Sequence, residues 1–403
     1  MKKILNFFQL NTDKKYSVIV GLFIISFIGN SNYCNAQNDT INTNKIKKKK
    51  LNFRDSKDNA FDVSSFLLEH RGLLPVPVLI TEPAIGYGGG AALLYFHNRK
   101  KQYDSYVAPD VSGVLGFLTA NGTWGAGGIH AHTFGENRVK TVTAIIKPNV
   151  KIDYYGNNSE LLAKNPITIK LNSWFVYQSA QVRIAESSFY LGASYSYSKS
   201  DVSLDTIPGK PLINAIIKRL NINSVVSTLS PMVVFDNRDN VFTPTKGIYA
   251  ELAFKYSAEW LGSSDNYGVI KSKFRGYQPI VPRLFSGWRF ESNSLLGDAP
   301  FYAYPSVSLR GIPAMRYQSD NTLVAETEWR YNVYKRWSIT AFTGAGKAFQ
   351  TTSNFSDIDW AYTIGTGFRY EIARQLGTHM GIDFAWGNAE DFAFYIVFGT
   401  SWL

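Results

Sequence analysis

Leu323-Val324-Ala325-Glu326-Thr327-Glu328-Trp329-Arg330-Tyr331 sets Glu326, Glu328 and Arg330 on one face of an extended chain and Ala325, Thr327, Trp329 and Tyr331 on the other. Successive side chains of a strand point to opposite faces, so this run has one charged face and one apolar, aromatic face. Its neighbours repeat the pattern. Tyr267 to Tyr277 opposes Lys271, Lys273 and Arg275 to Ile270, Ser272, Phe274 and Gly276. Tyr362 to Glu371 opposes Gly365, Gly367, Arg369 and Glu371 to Tyr362, Ile364, Phe368 and Tyr370. Leu376 to Trp386 opposes His379, Gly381, Asp383 and Ala385 to Met380, Ile382, Phe384 and Trp386. A soluble all-β sandwich is the alternative, but it does not account for a face this charged opposite one this aromatic, strand after strand. A transmembrane antiparallel barrel with lipid outside and a polar lumen inside accounts for both. Past the amino terminus no run reaches the roughly 18 apolar residues of a helical span, and a bilayer then admits only a closed barrel.

Such runs fall at 75–82, 86–97, 106–119, 124–134, 138–151, 168–182, 187–200, 222–236, 247–258, 267–279, 284–296, 322–333, 336–349, 361–371, 376–387 and 391–402. That is an even count, as single-chain bacterial barrels have. Alternate connections are mostly short (Gly135-Glu136-Asn137, Pro282-Arg283, Tyr334-Lys335), while the other set holds most of the long ones (152–167, 201–221, 259–266, 297–321, 350–360). Short periplasmic turns and long outer loops are the usual polarity, which places both mature chain ends in the periplasm of a Gram-negative cell.

The 403 residues are 45% hydrophobic and 15% aromatic. The one long apolar run, Val18 to Ile28, follows Lys2, Lys3, Lys14 and Lys15 and precedes Cys34-Asn35-Ala36. It is too short to span a bilayer and reads as a secretory signal over 1–36. Cys34 is the only cysteine, so the mature chain is held without disulfides. Of the net charge of +11, the signal takes +3 and +8 remains, five positive charges of it on Lys45, Lys47, Lys48, Lys49 and Lys50. That basic run has no interleaved aromatics and reads as a solvated tail, with no nucleic-acid partner. Residues 37–73 are therefore expected to be a basic, mostly disordered periplasmic leader, with little order up to about Ser64, and 74–403 the barrel domain.

The segment 297–321 between two strands is long for a loop, and such loops are functional or disordered. Phe301, Tyr302, Tyr304, Met315 and Tyr317 are too many rings and apolar groups for a solvated tail, and Pro305 and Pro313 stiffen it. Arg310 beside Gly311, framed by aromatics, points to a loop that folds back and buries a guanidinium.

With these residues in view, the chain resembles the bacterial surface antigen family, the BamA- and TamA-like assembly and two-partner-secretion barrels of the outer membrane. Leu309-Arg310-Gly311-Ile312 resembles the family's Val-Arg-Gly-Phe/Tyr motif in its sixth outer loop. Asp236-Asn237-Arg238-Asp239 through Pro244 to Gly247 resembles its periplasmic Asp-x-Arg-Asn/Asp…Pro-x-x-Gly turn. Pro75-Val76-Pro77 with Glu82 to Gly88 resembles the opening of short members, and Phe394 to Trp402 the carboxy-terminal signal read during assembly.

The chain departs from the pattern in three places. Residues 37–74 do not accommodate a periplasmic POTRA module, Gly344 stands where the family's loop-receiving acid lies, and Leu403 follows the terminal aromatic. A guanidinium taken into the barrel still needs a carboxylate. Glu328 is the first expected partner of Arg310, with Glu326 and, three strands on, Asp383 as the others.

The resemblance implies insertion or translocation of polypeptide, or of lipid, through a weak seam between first and last strands. Pro75 and Pro77 cannot donate to a ladder, and Gly399 and Trp402 sit on the last strand. The implied partners are outer-membrane lipid, a nascent outer-membrane or secreted polypeptide, and a separate periplasmic protein. The alternative is a passive channel or structural barrel.

No enzyme, cofactor or metal is expected. Gly344-Ala345-Gly346-Lys347 lacks the leading Gly and the trailing Ser/Thr of a phosphate loop, and no helix follows Gly86 to Gly90. His130 and His132 share a strand face without a third ligand nearby, and no acid completes a calcium loop around Asp236, Asp239 and Asn240.

Overall fold

The computed structural model describes residues 53–65, 73–81, 83–97, 110–136, 138–154, 167–204, 222–240, 242–300, 303–351, 355–388 and 391–402. The segment 1–36 expected to be a signal, Glu82, most of loop 201–221 and Leu403 lie outside them. Sixteen strands follow one another: β1 (Leu73–Ile80), β2 (Gly88–Phe96), β3 (Val111–Thr119), β4 (Trp124–Phe134), β5 (Val139–Tyr154), β6 (Ile167–Arg183), β7 (Phe189–Leu204) and β8 (Ile222–Asp236). Then come β9 (Gly247–Ser257), β10 (Tyr267–Val281), β11 (Leu284–Leu296), β12 (Asn321–Tyr334), β13 (Trp337–Phe349), β14 (Ala361–Ala373), β15 (Thr378–Trp386) and β16 (Phe392–Phe398). They pair in chain order, β1 to β16, in one antiparallel sheet that is nearly closed into a barrel. No ladder joins β16 to β1 among the described residues. Tyr87, in the connection between β1 and β2, stacks its ring on that of Phe394 of β16, 5.4 Å apart.

The alternation decides which face is which. On β12, Thr322, Val324, Glu326 and Arg330 are buried while Leu323, Ala325, Trp329 and Tyr331 are exposed. Leu118, Trp174, Leu252, Phe290 and Ile364 are more than half exposed on the same outer face, which lipid rather than water can cover. Rings cluster at strand ends, as at Trp124, Phe134, Tyr334, Trp337 and Trp386, where a membrane interface favours them.

The inner face is not uniformly polar, contrary to the expected lumen. Along β9 to β15 it carries Glu251, Arg275, Arg289, Glu326, Arg369 and Asp383. Along β1 to β7 it carries an apolar cluster of Val78, Ile80, Leu94, Val111, Ile152, Ile169 and Val202, beside buried serines of β6 and β7 such as Ser173, Ser198 and Ser200. What lies against that apolar half is the loop between β11 and β12, whose Ala303, Ala314 and Met315 belong to the same cluster.

The expectation of little order up to Ser64 fails for Phe53–Ser65. This segment is a small hairpin, with a bridge between Arg54 and Phe61 and the rings of Phe53 and Phe61 stacked. It docks on the short turns that follow β12 and β14. Arg336, its side chain 1% exposed, donates to Asp55, Asp58 and Asp62 at 2.7, 2.8 and 2.7 Å. Arg374 meets Asp58 at 2.6 Å, and the backbone N–H of Val63 donates to Ile372 O at 2.9 Å.

Candidate functional site

Three elements converge on Arg310. The loop between β11 and β12 presents it, and its guanidinium reaches two separate strands. Nε donates to Glu326 at 2.7 Å, and Nη1 donates to Glu328 at 2.6 Å and to Asp383 at 2.8 Å. Nη1 also donates to Ser401 Oγ at 2.9 Å. Nη2 has no hydrogen-bond acceptor, and the guanidinium carbon lies 3.4 Å from the Phe342 ring centre, a cation on an aromatic face. Glu328 was the first expected partner, but all three carboxylates hold Arg310 together.

Register makes this possible. Glu326 pairs with Gly344 and Glu328 with Phe342 across β12 and β13, while Gly367 pairs with Asp383 across β14 and β15. A Cβ on Gly344 would come within 3.0 Å of both Glu326 Cγ and Leu309 Cδ2. At Gly344, where the resemblance leads one to expect an acid, the space beside the backbone is taken by Leu309 of the loop and by the Glu326 side chain. The charges also balance. Arg289 lies 3.5 Å from Glu326 and donates to Ser308 O, and Arg369 grips Asp383 with two bonds of 2.6 and 2.9 Å. Arg289, Arg310 and Arg369 thus face Glu326, Glu328 and Asp383, the condition under which buried charge is tolerated.

The loop backbone is fixed as well. Gly311 has φ of 84°, a left-handed value, and its N–H donates to the Tyr395 hydroxyl of β16 at 2.9 Å. Thr363 donates to Arg310 O, and Arg316 pairs with Asp391 at 3.1 Å. Val307, Leu309 and Ile312 pack with Val324, Ala348 and Ala361.

Two residues expected on the seam lie elsewhere. The last strand stops at Phe398 instead of running to residue 402. Gly399, at φ of 81°, turns the chain off the sheet, and a Cβ there would sit 2.3 Å from Phe242 O. Trp402 is consequently 2% exposed and donates its indole N–H to Glu326 at 3.0 Å. Pro75 and Pro77 do lie on the edge strand β1, paired with Leu93 and Ala91 of β2.

The turn after β8 is built from the residues expected of it. Asp236 receives two bonds from Arg238, at 2.8 and 3.0 Å, and Arg238 lies against the Tyr249 ring. Asp239 receives the Thr245 hydroxyl and the backbone N–H groups of Thr245 and Lys246. Pro244 precedes them, and Gly247 leaves room for Arg238, whose Cα would lie 2.7 Å from an added Cβ. Asn240 donates to Leu376 O at 2.7 Å, tying this turn to the start of β15.

His130 and His132 point away from these sites, to Ser112 and Asp110 respectively. Among the described residues no group of three metal-ligating side chains is assembled. Sequence reasoning missed Ser401, Tyr395, Thr363 and Arg289 around Arg310, and missed the leader carboxylates. Only the leader left a signal, three Asp at spacings of three and four in an otherwise basic stretch.

Sheet, register and site together define a membrane-spanning β-barrel of the outer-membrane type. The Omp85 superfamily domain matches residues 149–402, and the chain belongs to that superfamily, whose barrels are outer-membrane proteins. Among solved structures it is similar to BamA from Haemophilus ducreyi lacking POTRA domains 1–3, at 15% identity and a TM-score of 0.54, over 82% of this chain and 70% of that one. It is also similar to CdiB from Escherichia coli, at 9% identity and a TM-score of 0.55, over 80% of this chain and 62% of that one. CdiB from Acinetobacter baumannii gives 10% and 0.52, over 81% and 59%. The chain thus spans about three fifths of the CdiB proteins' length, and at these identities the likeness is one of fold. No curated protein sequence matches.

Proposed function

We propose that this barrel assists insertion or translocation of polypeptide, or of lipid, at the outer membrane, using the edge between β1 and β16. The observation that carries the reading is that no ladder joins those strands among the described residues. Unpaired backbone groups on an edge are a template for an incoming strand. On β1, Pro75 and Pro77 have no N–H to close the gap. In this reading the loop is folded into the barrel and Arg310 locks it, because Met315 packs on the apolar half while Arg310 holds the charged half. The short turns and both mature ends face the periplasm, where a separate partner could deliver a nascent polypeptide. A passive channel requires an interior free of this loop, and the contacts of Arg310 and Met315 weigh against it.

The test is a seam crosslink. Cysteines replacing Tyr87 and Phe394, joined by a short bis-maleimide, tie the connection after β1 to β16 and so hold the gap shut. Liposomes containing the uncrosslinked barrel should accelerate folding of an added, urea-unfolded outer-membrane barrel polypeptide, and the crosslink should abolish the acceleration. No acceleration, or acceleration that survives the crosslink, overturns the reading in favour of the passive barrel.

A further inference from the structure

Seven arginines are buried in the described structure: Arg238, Arg275, Arg289, Arg310, Arg330, Arg336 and Arg369. Six have a carboxylate at hand. Arg238 meets Asp236 at 2.8 Å, Arg275 meets Glu291 at 3.8 Å and Arg289 meets Glu326 at 3.5 Å. Arg310, Arg336 and Arg369 have theirs at 2.6 to 2.8 Å. Arg330, 8% exposed, is the exception, with no carboxylate in ion-pair range among the described residues. Its polar contact is between Nη1 and the two ring nitrogens of His379, at 3.1 and 3.2 Å, and its guanidinium carbon lies 4.9 Å from the Phe285 ring centre. Neither neighbour supplies a full negative charge, and a buried cation without one is costly.

Arg330 lines a cavity of about 300 Å³ at the short-turn end of the barrel, bounded by the turn after β8, the turn after β12 and the start of β15. That volume is at the lower end of small-molecule sites. Around Arg330 the cavity collects donors: Lys335 on the turn, and Asn332, whose side-chain oxygen already receives the Ser338 hydroxyl at 2.8 Å so that its amide N–H₂ is left to donate. The acids on its wall are engaged, Asp239 by the Thr245 hydroxyl and two backbone N–H groups, Glu371 by Arg374 at 3.5 Å.

We propose that this cavity binds a phosphate group, free or as a polar headgroup, with Arg330 as its central ligand and Lys335 and Asn332 at its rim. A flat carboxylate is satisfied by one arginine fork. A tetrahedral anion accepts from several directions, which matches donors placed on two neighbouring stretches of β12 and its turn.

The purified barrel, in phosphate-free detergent, is titrated calorimetrically with inorganic phosphate, with dihexanoyl phosphatidylglycerol, and with acetate as the carboxylate control. At least one phosphate probe should bind. Arg330→Gln should weaken it by about tenfold or more while heat-modified gel mobility stays native, and Arg330→Lys should recover part of the loss. Lys335→Asn, on an exposed turn, should weaken binding without touching the core and serves if Arg330→Gln does not fold. Binding of the lipid probe alone assigns a headgroup, and equal binding of inorganic phosphate assigns the free anion. Absence of binding by both probes, equal affinity for acetate, or unchanged binding in Arg330→Gln, or in Lys335→Asn should that variant be the one that folds, overturns the proposal.

Discussion

Trp402 donates its indole N–H to one oxygen of Glu326 at 3.0 Å, and the other oxygen of Glu326 receives Nε of Arg310 at 2.7 Å. One carboxylate on β12 therefore joins the loop arginine to the end of the chain, and Ser401 doubles the connection through its bonds to Arg310 and Asp383. Loop and tail are parts of one network, so disturbing either should be felt by the other.

Arg310→Ala takes from buried Glu326 and Asp383 one of the two arginines each one meets, and from Glu328 the arginine it pairs with, and breaking a buried pair costs up to roughly 3–5 kcal/mol. Glu326→Ala should cost more than Glu328→Ala, because the Glu328 side chain retains 12% exposure against none for Glu326. Each double mutant with Arg310→Ala should cost less than the sum of the singles. Thermal unfolding in detergent and protease cleavage within 303–320 measure it. Strict additivity for all three acids, including Asp383→Ala, would mean the network does not hold the loop.

Restoring the family's acid should harm this chain. In Gly344→Asp the new Cβ meets Ala325 O at 2.8 Å and Leu309 at 3.0 Å, and a fourth carboxylate enters a site balanced at three. Expected is a loss of about 2 kcal/mol or more from overpacking and like charge, with the loop becoming protease-sensitive. A Gly344→Asp barrel as stable as the parent would show that the site tolerates a fourth acid.

Gly311→Ala tests the loop tip. Its φ of 84° disfavours any side chain, and a Cβ would lie 3.0 Å from the Trp386 carbonyl carbon. Gly262, at φ of 89° with nothing within 4 Å, is the control. Gly262→Ala should cost about 1 kcal/mol and Gly311→Ala clearly more, up to about 3. Equal costs would mean that contact at the loop tip adds nothing to the backbone strain.

The leader should release on acidification. The Arg336 hydrogen bond holds the Asp58 carboxyl well below its ordinary range. Burial pushes Asp62 up, but hydrogen bonds from Ser64, Arg374 and Arg336 outweigh it and hold Asp62 low too. Both folded values lie below the unfolded value near 3.9, so their contribution is complete above it and lost as pH falls through the folded values. Protection of the Val63 and Ser64 amides from hydrogen exchange, relative to their intrinsic rates, should stay high from pH 7 to 5 and fall only in strong acid. In Arg336→Gln it should be low throughout. Release of the wild-type leader between pH 7 and 5 would contradict this account.

What could be read in advance follows from periodicity. β12, β14 and β15 show their two faces in sequence because one face is charged and the other meets lipid. β3, Val111–Thr119, is apolar on both faces, so its alternation gave no hint that the inner half is greasy. Arg310 was legible as an arginine needing acids, but that Glu326, Glu328 and Asp383 would all reach it depends on register across β12 to β15, which spacing alone does not fix. Gly399 was hidden inside an apolar run that reads as unbroken strand. The leader aspartates have no regular face and follow a lysine run that dominates the local charge.

The docked hairpin also says something about sequence in time. Asp58 and Arg336 are 278 residues apart, and the hairpin seats on turns that exist only once β12 to β15 are paired. Closing so long a loop is unfavourable until those strands are in place. Segment 53–65 precedes every strand in the chain yet is among the last parts to find its seat, so its protection from protease marks the moment the barrel is complete.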